Sequence, residues 1–203
     1  GDWTCAGLLT IDSGATLTTG TNALTANAGL TANGTLDATS QVVTVDPTAV
    51  TGNLSGSGSA SFGAGALTVT GSCSLATVTA GAGTIDIDGD LSGTAFTAGA
   101  GALTVNGNVS TATFTGGAGA IDIDGAVTSA TGFTASSTTT AVGANFTPGA
   151  FTHNSGSITF DTTDGSSIGG FAFNTVTVSA NKTMTGDWTC AGLLTIDSGA
   201  TLT

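Results

Sequence analysis

Residues 67–84 read LTVTGSCSLATVTAGAGT, residues 85–102 read IDIDGDLSGTAFTAGAGA, and residues 103–120 read LTVNGNVSTATFTGGAGA; IDIDG at 121–125 starts the pattern again. Each segment is 18 residues long and opens on an apolar–polar–apolar triplet, the alternation of a strand with one buried face. Two further columns keep the same step. Six residues after each triplet start stand Cys73, Leu91, Val109, Val127 and Phe146; eleven or twelve after stand Val78, Phe96, Phe114, Phe133 and Phe151. Gly71, Gly89, Gly107 and Gly125 follow the triplets, while Gly83, Gly101 and Gly119 precede the next ones. Glycine there predicts corners that need a positive φ or a close backbone approach.

Three short strands per 18 residues, separated by Gly-rich corners, predict an all-β chain folded as a β-solenoid, a parallel β-helix. A single coil cannot bury its apolar face, but stacking sets Val on Val and Phe on Phe about 4.8 Å apart. A β-sandwich would show about seven longer strands and no registered columns. An 18-residue turn suits a left-handed hexapeptide coil in length, yet the strict hexapeptide pattern is missing, so a right-handed coil is the expectation.

Outward from the quoted stretch, triplets start at Thr140, Ile158, Val176 and Leu194, after steps of 19, 18, 18 and 18. The extra residue before Thr140 reads as a loop insertion within one coil. Leu194-Thr195-Ile196 duplicates Leu9-Thr10-Ile11, because residues 186–203 repeat residues 1–18 letter for letter as GDWTCAGLLTIDSGATLT. Between Leu9 and Leu67 the triplets read at Leu24 and Val43 give irregular steps of 15, 19 and 24. About ten coils thus close a unit of 185 residues: residues 1–185 form one solenoid unit and 186–203 the first coil of the next. One period spans on the order of 48 Å, and the chain reads as part of a longer tandem array.

Composition narrows the function. Arg, Glu and Tyr are absent, Lys182 and His153 stand alone, and 13 acids, all Asp, give a net charge of −12. Nucleic acid needs phosphate-binding cations that this chain lacks, and an anionic membrane surface would repel it. No apolar run approaches the roughly 18 residues of a membrane span. With one Lys, one His and no Glu, general acid–base machinery for cutting acidic polysaccharide is nearly missing, which argues against an enzyme. No small-molecule substrate is evident.

Segments such as NSGSITFDTT (154–163), FNTVTVSANKTMTGDWTC (173–190), LLTIDSGATLTTG (8–20) and GALTVNGNV (101–109) resemble repeats of very large bacterial surface and secreted proteins. Those are parallel β-helices of adhesin-like or fibre-forming character. The resemblance implies an exported structural protein at the cell surface or outside the cell, and carries over no functional residues.

Asp86, Asp88 and Asp90, echoed by Asp122 and Asp124, are the metal candidates, since Asp-x-Asp-x-Asp opens an EF-hand calcium loop. The loop should close on a bidentate Glu, but position 97 is Thr. Asp86 and Asp122 should lie two coils apart, roughly 9.6 Å, with Thr104 between them, too far to share one ion. A solvated polar face is the competing reading, and no other cofactor is implied. Thr77-Val78-Thr79 and Thr111 to Thr115 hint at the Thr-x-Thr ladders of ice-binding solenoids, but Ala95 breaks the ladder and the coil at Phe133 should shift it. His153, near Asp161 and Asp164, reads as a turn residue, Cys73 as a buried small hydrophobe, and Trp188 as a core cap. Asn33, Asn53, Asn108, Asn145 and Asn181 begin glycosylation sequons, which chance supplies in so Ser/Thr-rich a chain.

The expected function is architectural: a filament or surface fibre built by end-to-end stacking of the unit with itself. The alternative is the stalk of an adhesin whose binding head lies elsewhere.

Overall fold

A computed structural model describes residues 1–20, 22–26, 30–32, 35–37, 42–45, 48–50, 53–62, 64–162 and 165–203. Among the described residues strands dominate, every pairing is parallel, and no helix is long and apolar enough to cross a membrane. The chain is a β-solenoid, its strands stacked one coil above the next.

One eleven-stranded sheet carries the triplets, with neighbours in the order Leu9–Ile11, Leu30–Ala32, Thr48–Val50, Leu67–Val69 and Ile85–Ile87, continuing to Leu194–Ile196. Its register pairs Leu67 with Ile85, Ile85 with Leu103 and Leu103 with Ile121, as the 18-residue rhythm requires. The third triplet position forms the driest column: Val69, Ile87, Val105, Ile123, Val142, Phe160 and Val178 are each 0% exposed. Burying each such side chain stabilises the stack by about 1.5–3 kcal/mol relative to leaving it in water.

The first coils correct the sequence reading. Leu24 and Val43 do not belong to this sheet; Leu24 pairs with Trp3 and Val43, and Val43 with Ala60, on another side of the solenoid. The triplet column instead runs Leu9, Leu30, Thr48, Leu67, with steps of 21, 18 and 19. The rhythm is therefore more regular than the letters suggest, and ten strand steps separate Leu9 from Leu194.

The other two columns share one sheet, another departure from three separate strands. Cys73–Thr79, Leu91–Thr97 and Val109–Thr115 are continuous seven-residue strands. Cys73, Leu75 and Val78 all face the core, so strict alternation slips by one residue at Ala76 and Thr77, where the register shifts against the neighbouring strand. That slip works like a bulge: it bends the strand and lets both halves point inward. In the next coil Gly93 takes a φ of 144°, and a Cβ there would overlap the Leu75 carbonyl oxygen.

The extra residue before Thr140 lies in this sheet. The seven-residue strand splits into a bridge at Val127, still paired with Val109, and a short strand Gly132–Thr134. Thr134 nevertheless pairs with Thr115, so the coil at Phe133 does not shift the Thr column as the sequence suggested. From Phe96 onward the core turns aromatic. Phe96, Phe114 and Phe133 stack with centroids 5.3 and 4.5 Å apart, and Phe146, Phe151, Phe160, Phe171 and Phe173 continue as tilted and edge-to-face pairs.

The Gly columns owe their identity to close approach, not to positive φ. A Cβ on Gly101 would overlap the Gly83 carbonyl oxygen, and one on Gly119 the Gly101 carbonyl oxygen. Backbones touch at this corner with no room for a side chain.

Candidate functional site

The carboxylates lie on the outer face of the triplet sheet and at the corner that follows it. Asp86 lies in register between Thr68 and Thr104, and Asp122 between Thr104 and Ala141, so the two are separated by one neutral rung. Asp88 and Asp124 occupy the corner just after the triplet, where their N–H groups donate to the Val69 and Val105 carbonyls at 2.8 and 3.0 Å. That corner column continues through Asp161, read from the sequence only as a neighbour of His153, and through Asp197, which the sequence reading did not single out. Their N–H groups donate to the Val142 and Val178 carbonyls. The detectable signal was the spacing: Asp88, Asp124, Asp161 and Asp197 are 36, 37 and 36 residues apart, two coils each time.

Between these acids the corner holds Asn106, Gly143 and Ser179. Asn106 donates its amide to the Asp88 carboxylate at 3.0 Å, and the Ser179 hydroxyl to the Asp197 carboxylate at 2.6 Å. Like charges are thus two strand spacings apart, about 9.6 Å, with a neutral residue or a hydrogen-bond donor between. Asp122 feels its surroundings most: partial burial first, then the charges of Asp124 and Asp161, raise its carboxyl pKa above the usual range. Among the described residues, no three His, Cys, Asp or Glu side chains gather where they could hold one metal ion.

Asp90 belongs to a different corner with a different task. Its carboxylate accepts the Asn108 backbone N–H at 2.7 Å and the Asn108 side-chain amide at 3.1 Å. Below it, the Ser72 hydroxyl accepts the Asp90 N–H and the Asn53 side chain accepts the Ser72 N–H; above it, Asn108 accepts the Ala126 N–H. The side chains of Asn145 and Asn181 likewise accept the N–H groups of Ser167 and Thr201. At Asn53, Ser72, Asp90, Asn108, Asn145 and Asn181 the side chain thus caps a backbone donor of the next coil where the strands turn, satisfying groups that the sheets leave over. Four of the five sequon asparagines have this structural job; Asn33 lies outside the described residues.

The remaining candidates resolve into packing and turns. Thr79, Thr97, Thr115, Thr134 and Thr152 form an unbroken registered ladder. The inner rank reads Thr77, Ala95, Thr113, Gly132, and is broken twice. His153 accepts the Ser155 N–H on its Nδ1 at 2.9 Å, within a tight turn where Asn154 and Ser155 have φ of 49° and 61°. Asp164 lies outside the described residues. Cys73 is 1% exposed, and burial pushes its thiol pKa up to about 12, so it stays protonated. Trp188 packs on Phe173 and Phe160, with centroids 4.8 and 6.0 Å away. Lys182, the only lysine, is 1% exposed and donates from Nζ to the Gly143 carbonyl at 2.9 Å.

The chain matches no protein-family model, no curated protein and no solved structure. The likeness to bacterial surface repeats therefore rests on the rhythm of the sequence.

Proposed function

We propose that this chain is a structural segment of an extracellular filament or cell-surface fibre, built from β-solenoid units joined end to end. The observation that carries the reading is the position of Leu9 and Leu194. They are the same residue of the repeated 18-residue segment, and they sit in the same column of one continuous sheet, ten strand steps apart. A unit that returns to its starting column after whole steps adds to the next without a break in its hydrogen bonds. Stacked apolar columns and inter-coil backbone bonds make such a rod stiff. Burial of the one lysine supports a role in a protease-rich exterior, because it hides the only basic cleavage point. The resemblance in sequence rhythm adds the bacterial surface as the setting.

Electron microscopy of native material tests this. Thin filaments with an axial repeat near 48 Å, ten steps of about 4.8 Å, are the expected image. Isolated globular particles of one unit would refute it.

A further inference from the structure

The sheet that carries Cys73–Thr79, Leu91–Thr97 and Val109–Thr115 turns an uncharged face to solvent. Over the five coils from Cys73 to Thr152, every outward residue of that sheet is Ser, Thr, Ala or Gly. Between residues 64 and 162 the acids are Asp86, Asp88, Asp90, Asp122, Asp124 and Asp161, and all six lie on the triplet sheet or at corners. Strand chemistry alone does not ask for such small side chains. Ala and Gly are depleted in strands, and an exposed face accepts longer polar residues. Gly93 and Gly149 have a reason within the chain, since a Cβ on either would overlap a carbonyl oxygen of the preceding coil. Gly132 has none. Its φ is not positive, and a Cβ there would meet nothing closer than the Ala150 carbonyl oxygen at 3.9 Å. A strand glycine with room for a side chain marks a place where another backbone comes close from outside. Gly132 pairs in register with Thr113, which is exposed and lies in the middle coil of the five.

We propose that this face packs against the same face of a second copy, joining two solenoids side by side. Charge selects the occupant. Each chain carries −12, so two copies approach at least cost where neither shows a carboxylate, and the pair keeps its acids outside. Size permits it as well. Seven-residue strands at about 3.3 Å per residue and five coils at about 4.8 Å give on the order of 550 Å² per copy. The pair then buries about 1,100 Å², just past the roughly 1,000 Å² of a specific interface. Backbone groups of the inner strands are already paired with both neighbours, so the seam is made by side chains. Methyl groups of Thr and Ala interdigitate in a dry contact of the kind small side chains allow. A contact of this size is weak once and strong when repeated: where units stand in an array, the face recurs in every unit and the contacts add. That last step rests on the filament reading; the pair itself does not.

Sedimentation of the 203-residue chain, with solution X-ray scattering, tests the pair. The expected species is a concentration-dependent dimer whose longest dimension stays near that of the monomer, because the copies lie side by side. Thr113→Glu brings like charges into the seam from both copies and should weaken association at least about 10-fold, with the thermal midpoint of the monomer kept. Gly132→Gln adds bulk without charge in space the fold leaves open. It should weaken association while the thermal midpoint holds or rises, a split that a merely structural glycine would not give. Ala100→Glu places the same charge at the exposed Gly-rich corner, off the face, and should leave association nearly unchanged. Raising salt from about 0.01 to 0.15 M should strengthen the pair by screening the repulsion between copies. A chain that stays monomeric at about 1 mM, whether or not it adheres to ice or an insoluble glycan, would overturn the proposal. So would a dimer of doubled length, or Ala100→Glu as damaging as Thr113→Glu. Each of those results leaves the filament reading standing, since that fails separately, on native material without filaments.

Discussion

Phe114 is the most informative residue to remove. It is 0% exposed and lies flat between Phe96 and Phe133, at 5.3 and 4.5 Å and interplanar angles of 13° and 10°. Truncating a buried Phe to Ala costs about 3–5 kcal/mol. Because two ring pairs worth about 0.5–1.5 kcal/mol each vanish with it, Phe114→Ala should fall in the upper half of that range. Phe114→Leu keeps most of the buried area and loses only the stacking, so it should cost about 1–3 kcal/mol. The location of the damage matters as much as its size. In a solenoid each coil touches only its neighbours, so stability is a chain of local terms. Guanidinium unfolding measures the loss, and hydrogen exchange with mass spectrometry maps it. Protection should drop in Leu91–Thr97, Val109–Thr115 and Gly132–Thr134 and persist in Thr175–Val178. A loss below about 1 kcal/mol, or equal loss of protection in both regions, would refute the stacked-column account.

Two further outcomes follow from the corners. Gly101→Ala forces a Cβ into the Gly83 carbonyl, a backbone neighbour that cannot rotate away, and should cost about 1–3 kcal/mol in thermal or chemical unfolding. Asp122 has its folded pKa raised, so the native state holds its proton more tightly than the unfolded chain, and its contribution to stability falls as pH rises through that raised value. Asp122→Asn should therefore have a higher thermal midpoint than wild type at neutral pH, and the advantage should vanish on acidification below the ordinary Asp pKa; an advantage that grows in acid would contradict this.

The solenoid was legible from Leu67 onward because a constant step makes chance alignment of three columns implausible. It was misread before Leu67 for a definite reason. Leu24-Thr25-Ala26 and Leu30-Thr31-Ala32 are identical triplets, and alternation marks a half-buried strand without saying which side of the coil it occupies. Their distances from Leu9, 15 and 21 residues, miss 18 equally, so spacing could not choose between them. Thr48 escaped notice because it offers no aliphatic side chain at the column position. Among the carboxylates, Asp86 and Asp122 were correctly placed two rungs apart, but the column through Asp161 and Asp197 was hidden by the inserted residue, which turns a step of 36 into 37. The use of Asn53, Asn108 and Asn145 as acceptors was invisible, because a sequon and a turn cap share the same first letter.

The alternation of charged and neutral residues along the acidic corner also sets how the rod responds to ionic strength. Successive carboxylates about 9.6 Å apart sit just beyond the Debye length of about 8 Å at physiological salt, so each is largely screened from the next. At 0.01 M salt the screening length grows to about 30 Å and takes in several rungs at once. Net charge that is nearly silent in a saline medium then becomes a continuous line of repulsion. Dilution into fresh water would then strain the stacked coils of the chain along the solenoid axis.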